Sequence, residues 1–466
     1  MSFGIVGVHG PDAGVKSLKA VSAYDFRKEY PVVITLNPDP EAHRDACFNV
    51  YGFRGSYDLK LIHNFTELDI NELVKDKSTW AIARVYNKRD LGPFAYGSKI
   101  GIFDGIAIVG NGRITNSEDV VHDMEERGVF LTIKRPYGEI LAHKTTESDK
   151  NGVIDVIHEA QDGLEGGYSF LMLSRHGLAA VTDPHKHMPL CMGRIGETHV
   201  FSSDTDGLEA LGAEYEMDIK PTVTFLSSDG EIIRDNYVPE LYRHCLRQAT
   251  FVSSEHSRIF EHNLNVARFR RRCGNTLYER YGDLIESLDM IAPMNSSALM
   301  AAQGINEKMN KPISGYVAKR STVGEIGLRK ELSGVGSKTS KYKAVESGVR
   351  GKRIGLVALT LSGESEMGFA DDAMKKGAKE IYLFEPGPLI GKGCRYRGFW
   401  KESTSFEGDE DSVKEQLLER INEGNGIVKG IYPLDIKTTL ELTDYPDRYC
   451  TECFCGGEDY LYIGDV

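Results

Sequence analysis

The chain has 466 residues, a formal net charge of −13 and 41% hydrophobic residues, which predicts two domains of roughly 200 residues each with cores large enough to fold without disulfides. The acidic balance argues against a general binder of nucleic acid or anionic membrane. No apolar run approaches the ~20 residues of a spanning helix, and no basic start with a long apolar middle marks a signal peptide, so cytoplasmic residence is the expectation and the eight cysteines are read as packing, catalytic or metal-binding thiols.

The chain opens on "GIVG" (4–7), a short buried strand. Further strands follow in "PVVITL" (31–36), "KIGIFDGIAIVGNG" (99–112), "YSFLMLS" (168–174), "HGLAAVTD" (176–183) and "HVFSSD" (199–204), with helices expected over 117–127 and 150–161. Many strands with few helices between them predict antiparallel sheet layers with helices packed on them. The character changes after about residue 240. Helical spacing covers 263–288, "LDMIAPM" (288–294) is a buried strand, and 295–310 is a helix capped by Asn295 or Ser296. "PISGYVA" (312–318), "GKRIGLVALT" (351–360) and "AKEIYLFEP" (378–386) are strands, with a helix over 367–376. Strands alternating with helices predict a parallel α/β domain. The domains are therefore expected at 1–240 and 241–466.

Several stretches carry candidate chemistry. The loop "LSGESE" (361–366) leads from a strand into a helix, where backbone N–H groups can hold a phosphate; read locally it is an ordinary strand–helix turn. Asn111–Gly112 reads locally as a tight turn, and Asp149 as a helix N-cap. Cys450 and Cys453 form C-x2-C, with Cys455 two residues on, and Cys245 and Cys394 add two more thiols. Four thiolates suit either a [4Fe–4S] cluster or Zn²⁺ on ligand count alone. Cys47, Cys191 and Cys273 read as buried small apolar residues. The Arg-rich "RFRRRCG" (268–274) reads as a solvated or interface face, or as a source of anion contacts.

In their order and spacing, "GIVG" (4–7), "GIAIVGNGRITN" (105–116), "ESD" (147–149), "GGYSF" (166–170), "HVFSSDTDGLEALGAEYEMDIKP" (199–221), "FEHNLNVARFRRRCG" (260–274), "KYKAVESGVRGKR" (341–353) and "RYCTECFCGG" (449–457) resemble the glutamine phosphoribosylpyrophosphate amidotransferase (amidophosphoribosyltransferase) family. The resemblance runs over essentially the whole chain. It implies an N-terminal Ntn-hydrolase αββα sandwich that releases ammonia from glutamine, followed by a type I phosphoribosyltransferase parallel α/β domain. The family makes phosphoribosylamine at the start of purine synthesis, as a homodimer or homotetramer.

The resemblance also shows where this chain departs from its pattern. The family's nucleophile is an N-terminal Cys directly before "GIVG"; Phe3 stands there, and Ser2 is one residue out of register. The oxyanion pair would be Asn111 and Gly112, the glutamine-amine clamp Asp149, and the carboxylate clamp Arg84, itself off by one. In the second half the family's paired ribose-binding acids are replaced by Ala358 and Leu359, which makes Mg²⁺ an unexpected cofactor. Gly363 and Ser365 remain from the phosphate loop, beside Ser362 and with Glu364 opposing an anion, and Lys319, Val323 and Gly324 fit the pyrophosphate loop, where Glu325 replaces an Arg and Lys319 and Arg320 could supply anion contacts. One branch of the family holds a [4Fe–4S] cluster on cysteines matching Cys245, Cys394, Cys450 and Cys453, as a structural and oxygen-sensitive group. The expectation is a divergent member with both active sites altered. Its partner would be a small molecule, phosphorylated or an amino acid, with no nucleic acid and no membrane. A member with a changed substrate, or a true amidotransferase with unusual loops, is the alternative.

Overall fold

Alternating apolar residues in the first half build strands that are covered on both faces, and the covering sets the architecture. The structure, a computed structural model, describes residues 4–21, 29–36, 48–52, 65–67, 70–87, 100–103, 105–129, 131, 137–234, 243–252, 258–259, 264–309, 317–319, 342–359, 361, 363–391, 394, 396, 406, 408–423 and 426–457. Ser2, Phe3, Cys47, Arg320, Val323, Gly324, Glu325 and Ser362 lie outside the described residues. The chain divides into two compact units, Met1–Asn263 with Arg395–Gly398, and Leu264–Cys394 with Phe399–Val466.

The N-terminal unit holds two sheets. One contains β1 (Ile5–His9), β2 (Glu29–Leu36), β3 (Phe48–Gly52), β4 (Phe65–Glu67), β5 (Trp80–Asn87), β10 (Cys191–Ile195), β11 (Thr198–Ser202) and β12 (Glu214–Asp218), in the order β12-β10-β11-β1-β5-β2-β3-β4. The other contains β6 (Ile100–Phe103), β7 (Ile106–Ile114), β8 (Gly166–Ser174), β9 (Gly177–Thr182), β13 (Thr222–Ser227) and β14 (Ile232–Arg234), in the order β14-β13-β9-β8-β7-β6. Among the described strands of this unit only β3 and β4 pair in parallel.

Strand alternation sends each side-chain row to one layer. Ile5, Ile34 and Ile82 meet Val109, Leu171 and Leu178 between the sheets. Val6, Val8 and Val33 face outward onto α1 (Ala13–Val21), Leu73 of α2 (Ile70–Lys75) and Leu208 of α6 (Thr205–Glu209). Ile108, Met172 and Phe225 face outward onto α3 (Ser117–Glu126), α4 (Tyr137–Glu147) and α5 (Val153–Gln161). The result is the expected αββα sandwich. The stretch expected as a single strand over 99–112 is a hairpin, β6–β7, with Gly105 at its turn (φ 81°) and Phe103 opposite Ile106.

The second unit is built on a parallel sheet in the order Met290–Pro293, Arg353–Val357, Glu380–Glu385, Val428–Pro433. Ile354, Leu356, Ile381 and Leu383 pack on Phe369 and Ala373 of helix Glu364–Lys375 and on Val413 and Leu417 of helix Glu410–Ile421. On the other face lies α7 (Val266–Glu286), whose Tyr281 donates its hydroxyl to the Pro433 carbonyl at 2.9 Å and meets Tyr432 edge-on. The helix α8 (Leu299–Met309) follows a single 3₁₀ turn, Ser296–Ala298, which Asn295 caps by accepting from the Ala298 N–H at 3.0 Å. Among the described residues no helix is long and apolar enough to cross a membrane.

Candidate functional site

The N-terminal candidate site lies at the ends of β1, β7 and β8. The Ile5 N–H donates to Ser203 Oγ at 3.2 Å, and the Ser203 N–H returns to the Ile5 carbonyl at 3.0 Å. Ile5 also pairs with Arg84 of β5, so the strand start and the expected carboxylate clamp share one register position. Asn111 and Gly112 do not form a turn. They sit inside β7, opposite Ser169 and Tyr168 of β8. Gly112 has φ 89°, and a Cβ there would stand 2.1 Å from the Gly167 carbonyl oxygen, so only glycine fits. Its N–H, the donor the resemblance assigns to an oxyanion, donates to Asn111 Oδ1 at 2.9 Å. The pair therefore satisfies itself in this conformation. Asp149 is exposed in the loop between α4 and α5, and the N-cap of α5 is Gly152.

Beside this pair lies a buried network that the sequence reading missed. Asp183 has no exposed surface. Its carboxylate accepts from the N–H groups of Tyr168 (3.2 Å), His185 (3.1 Å) and His187 (3.0 Å), and from His187 Nδ1 at 2.9 Å. Tyr168 of β8 stands between this carboxylate and the Asn111–Gly112 pair, opposite Gly112 of β7 on one side and bonded to Asp183, just past β9, on the other. The His187 ring stacks on Tyr396 with centroids 4.2 Å apart, and its Nε2 is buried without a hydrogen-bond partner. Burial, then the neighbouring His187, lowers the pKa of His185 against the opposing pull of Asp183. The signal was present in "TDPHKHMP", where an Asp-Pro turn carries three basic residues, but only folding turns that turn inward.

The second candidate site is the loop after strand Arg353–Val357. Ala358 and Leu359, which stand where paired acids would contact a ribose, are buried, and Ala358 belongs to the apolar cluster under the sheet. Two backbone donors of the loop are already held by carboxylates. The Leu361 N–H donates to Glu385 Oε2 at 2.8 Å, and the Gly363 N–H to Glu366 Oε2 at 2.8 Å. Both Glu385 and Glu366 are buried. Glu366 is the third residue of helix Glu364–Lys375, and its cap explains why the helix begins three residues before the expected 367. Gly363 has φ 89°, and a Cβ there would meet Arg420 Cδ at 2.7 Å. Ser365 lies in the first helical turn. Lys319 pairs with Tyr342 in a short antiparallel ladder, Val317–Lys319 against Tyr342–Ala344.

The described cysteines form no disulfide. Cys245 belongs to the first unit, and Cys394, Cys450 and Cys453 to the second. Cys245, Cys450 and Cys453 are buried. The Gly391 N–H donates to the Cys453 carbonyl at 3.1 Å, and the Cys455 N–H to the Leu389 carbonyl at 2.8 Å. Burial, with Glu410 adding to it, pushes the Cys455 thiol up to about 11. Burial likewise raises the Cys191 and Cys273 thiols, in keeping with their reading as packing residues. Among the described residues no three His, Cys, Asp or Glu side chains come together as metal ligands. The thiols are chemically suited to a metal.

No family model matches the chain. It is 29% identical over 389 residues to the amidophosphoribosyltransferase of Methanocaldococcus jannaschii, covering 76% of this chain and 80% of that one. It is 24% identical over 478 residues to chloroplastic amidophosphoribosyltransferase 3 of Arabidopsis thaliana, covering 97% and 83%. In sequence the chain is similar to amidophosphoribosyltransferases over most of its length. In fold it superposes on the glutamine phosphoribosylpyrophosphate amidotransferase of B. subtilis, solved with ADP and GMP, with TM-score 0.75, 22% identity and 98% of both chains covered. A second solved structure, described as the allosteric regulatory enzyme of purine biosynthesis, gives TM-score 0.75 at 20% identity. The Ntn-type sandwich and the phosphoribosyltransferase-type sheet are thus the amidophosphoribosyltransferase fold, in the family's order.

Proposed function

We propose that this chain is a ligand-binding or scaffolding member of the amidophosphoribosyltransferase family that performs neither glutamine hydrolysis nor phosphoribosyl transfer by the family's usual chemistry. The observation that carries the reading is the pair of carboxylate-held donors at Leu361 and Gly363. A phosphate needs open N–H groups and a positive local potential. Here the anion's place at both donors is taken by the protein's own carboxylates, and the neighbouring positions are Ala358 and Leu359. In the first unit the absence of a thiol at Phe3 and the closed Asn111–Gly112 pair support the same reading. In this reading Arg84, Asn111, Gly112 and Asp149 line a retained amino-acid pocket. Lys319, Arg320, Gly324, Ser362, Gly363 and Ser365 line a reduced phosphate pocket, without Mg²⁺. The test is direct. Purified protein is assayed for ammonia release from glutamine and for pyrophosphate release from phosphoribosyl pyrophosphate. Neither is expected, and turnover at the rate of an active family member in either assay overturns the reading.

The same reading assigns Cys245, Cys394, Cys450 and Cys453 as ligands of a structural [4Fe–4S] cluster, in a cytoplasmic homo-oligomer. Support comes from the family resemblance and from the thiolate chemistry such clusters require. Anaerobic purification should give brown protein containing iron and acid-labile sulfide, both reduced by Cys450→Ser. Colourless protein loaded with zinc removes the assignment.

One observation favours a second reading, an enzyme with changed chemistry in the first unit. His187 Nδ1 is bonded to Asp183, its Nε2 is buried without a hydrogen-bond partner, and its Cβ lies against Gly167 of β8. If a substrate is found, His187→Gln should abolish turnover while leaving its binding in place; unchanged turnover sinks this reading.

A further inference from the structure

The first unit contains a cavity of about 580 Å3 that neither candidate site uses. It opens on the helix-facing side of the six-stranded sheet, near the end of β8. Asn111 instead pairs with Ser169 near the start of that strand and belongs to the row facing the other sheet. Its floor is a row across three adjacent strands: Met172 lies opposite Ala179, and Ala179 opposite Phe225. Ala179 is the small member between two large side chains, and the missing volume is the notch. Val156 and Ile157 of α5 form the facing wall. Close-packed interiors leave no void of this size, whereas small-molecule sites typically measure ~300–1,000 Å3 with an apolar lining and a few polar groups.

Among the described lining residues the permanent charge is that of Arg175. Arg175 and His176 are the turn residues between β8 and β9, and both are exposed at the mouth. The turn is pinned: the His176 N–H donates to Ser174 Oγ at 3.2 Å, and the His176 carbonyl accepts from the Ser228 N–H at 2.8 Å. Thr145 and Asn151 add neutral hydrogen-bonding groups, and among the described residues the lining holds no Asp or Glu in a chain of net charge −13. At the mouth Val153 leaves apolar surface in water, 37% exposed.

We propose that this cavity binds a small amphipathic anion. A flat aromatic or branched aliphatic body would sit on Met172, Ala179 and Phe225, with a carboxylate or sulfonate beside Arg175 and His176. The proposal stands apart from the fate of the two inherited sites.

The probe is anilinonaphthalene sulfonate, titrated by fluorescence into the full chain, with its uncharged counterpart phenylnaphthylamine as control. Saturable one-to-one binding of the sulfonate is expected, tighter than that of the neutral probe. Ala179→Leu, which fills the notch, and Val156→Phe, which fills the cavity from the helix side, should each weaken binding at least about tenfold. Arg175→Glu combined with His176→Glu should weaken the sulfonate and leave the neutral probe unchanged. Circular dichroism and the melting temperature establish that each variant is folded, and Val156→Phe decides the matter if Ala179→Leu does not fold. Non-saturable binding, equal affinity for the two probes, or binding unchanged by the filling variants overturns the proposal.

Discussion

In the two candidate sites backbone donors are held by the same kind of contact but not to the same depth. In the first unit the Gly112 N–H is held by the side chain of its own neighbour, Asn111. Rotating one side chain would release it, and the glycine that the site requires is still in place. In the second unit the Leu361 N–H is held by Glu385, 24 residues away, and the Gly363 N–H by Glu366, both carboxylates buried. Opening those donors would strand carboxylates in the interior, which costs far more than a rotation. Ala358 and Leu359 are meanwhile part of the packing. The donor of the first site is held by conformation, those of the second by composition.

That contrast can be tested by trying to reverse it, beginning where the largest effect is expected. Restoring the acids with Ala358→Asp and Leu359→Asp should cost at least about 3 kcal/mol, because two carboxylates enter an apolar cluster unpaired. Urea unfolding reads the loss, and a double variant that keeps its stability and gains Mg²⁺-dependent binding of phosphoribosyl pyrophosphate would break the contrast. Gly112→Ala should cost about 3 kcal/mol, since the added Cβ meets the Gly167 carbonyl at 2.1 Å and φ is 89°. If thermal melting shows no change, the strand geometry assigned to the pair is wrong. Glu385→Ala should cost about 2 kcal/mol by leaving the buried Leu361 N–H without its acceptor. Glu385→Gln keeps an acceptor oxygen and should lose less than half of that; equal losses would show that the hydrogen bond is not what the carboxylate supplies.

The smallest effect sharpens the comparison from the other side. Asp76 is another carboxylate acceptor of the first unit, taking bonds from Thr35 Oγ1 (2.6 Å), Tyr51 Oη (2.7 Å) and the Ser78 N–H (2.8 Å). Burial works against its charge, but these hydrogen bonds leave its pKa lowered overall. A depressed carboxyl stabilises the fold above its unfolded pKa, and that contribution fades as pH falls through the folded value. Asp76→Asn should therefore cost about 1 kcal/mol at neutral pH and reduce the acid-side loss of stability. Parallel urea–pH curves for the two proteins would refute that role.

Much of this molecule was legible in the sequence. The apolar runs from "GIVG" to "HVFSSD" announced a layered first unit, and the alternation after residue 240 announced a parallel sheet, because periodicity is a local property of the chain. The helix cap at Asn295 was legible for the same reason. Motif order carried the resemblance, and the residues at 3, 358 and 359 depart from the family's pattern. The local readings of Asn111–Gly112 as a turn and of Asp149 as a cap failed, because register with β8 and the later start of α5 outweigh dipeptide preference.

What the amino-acid order determined by itself was the set of elements and the identity of the missing side chains. Only the tertiary structure decided which groups answer the loop donors at 361 and 363, that Asp183 and His187 turn inward as a pair, and that Ala179 leaves a notch between Met172 and Phe225. Those outcomes depend on partners from separate strands and helices. A hydrogen bond or a void exists only once packing has brought its two sides together.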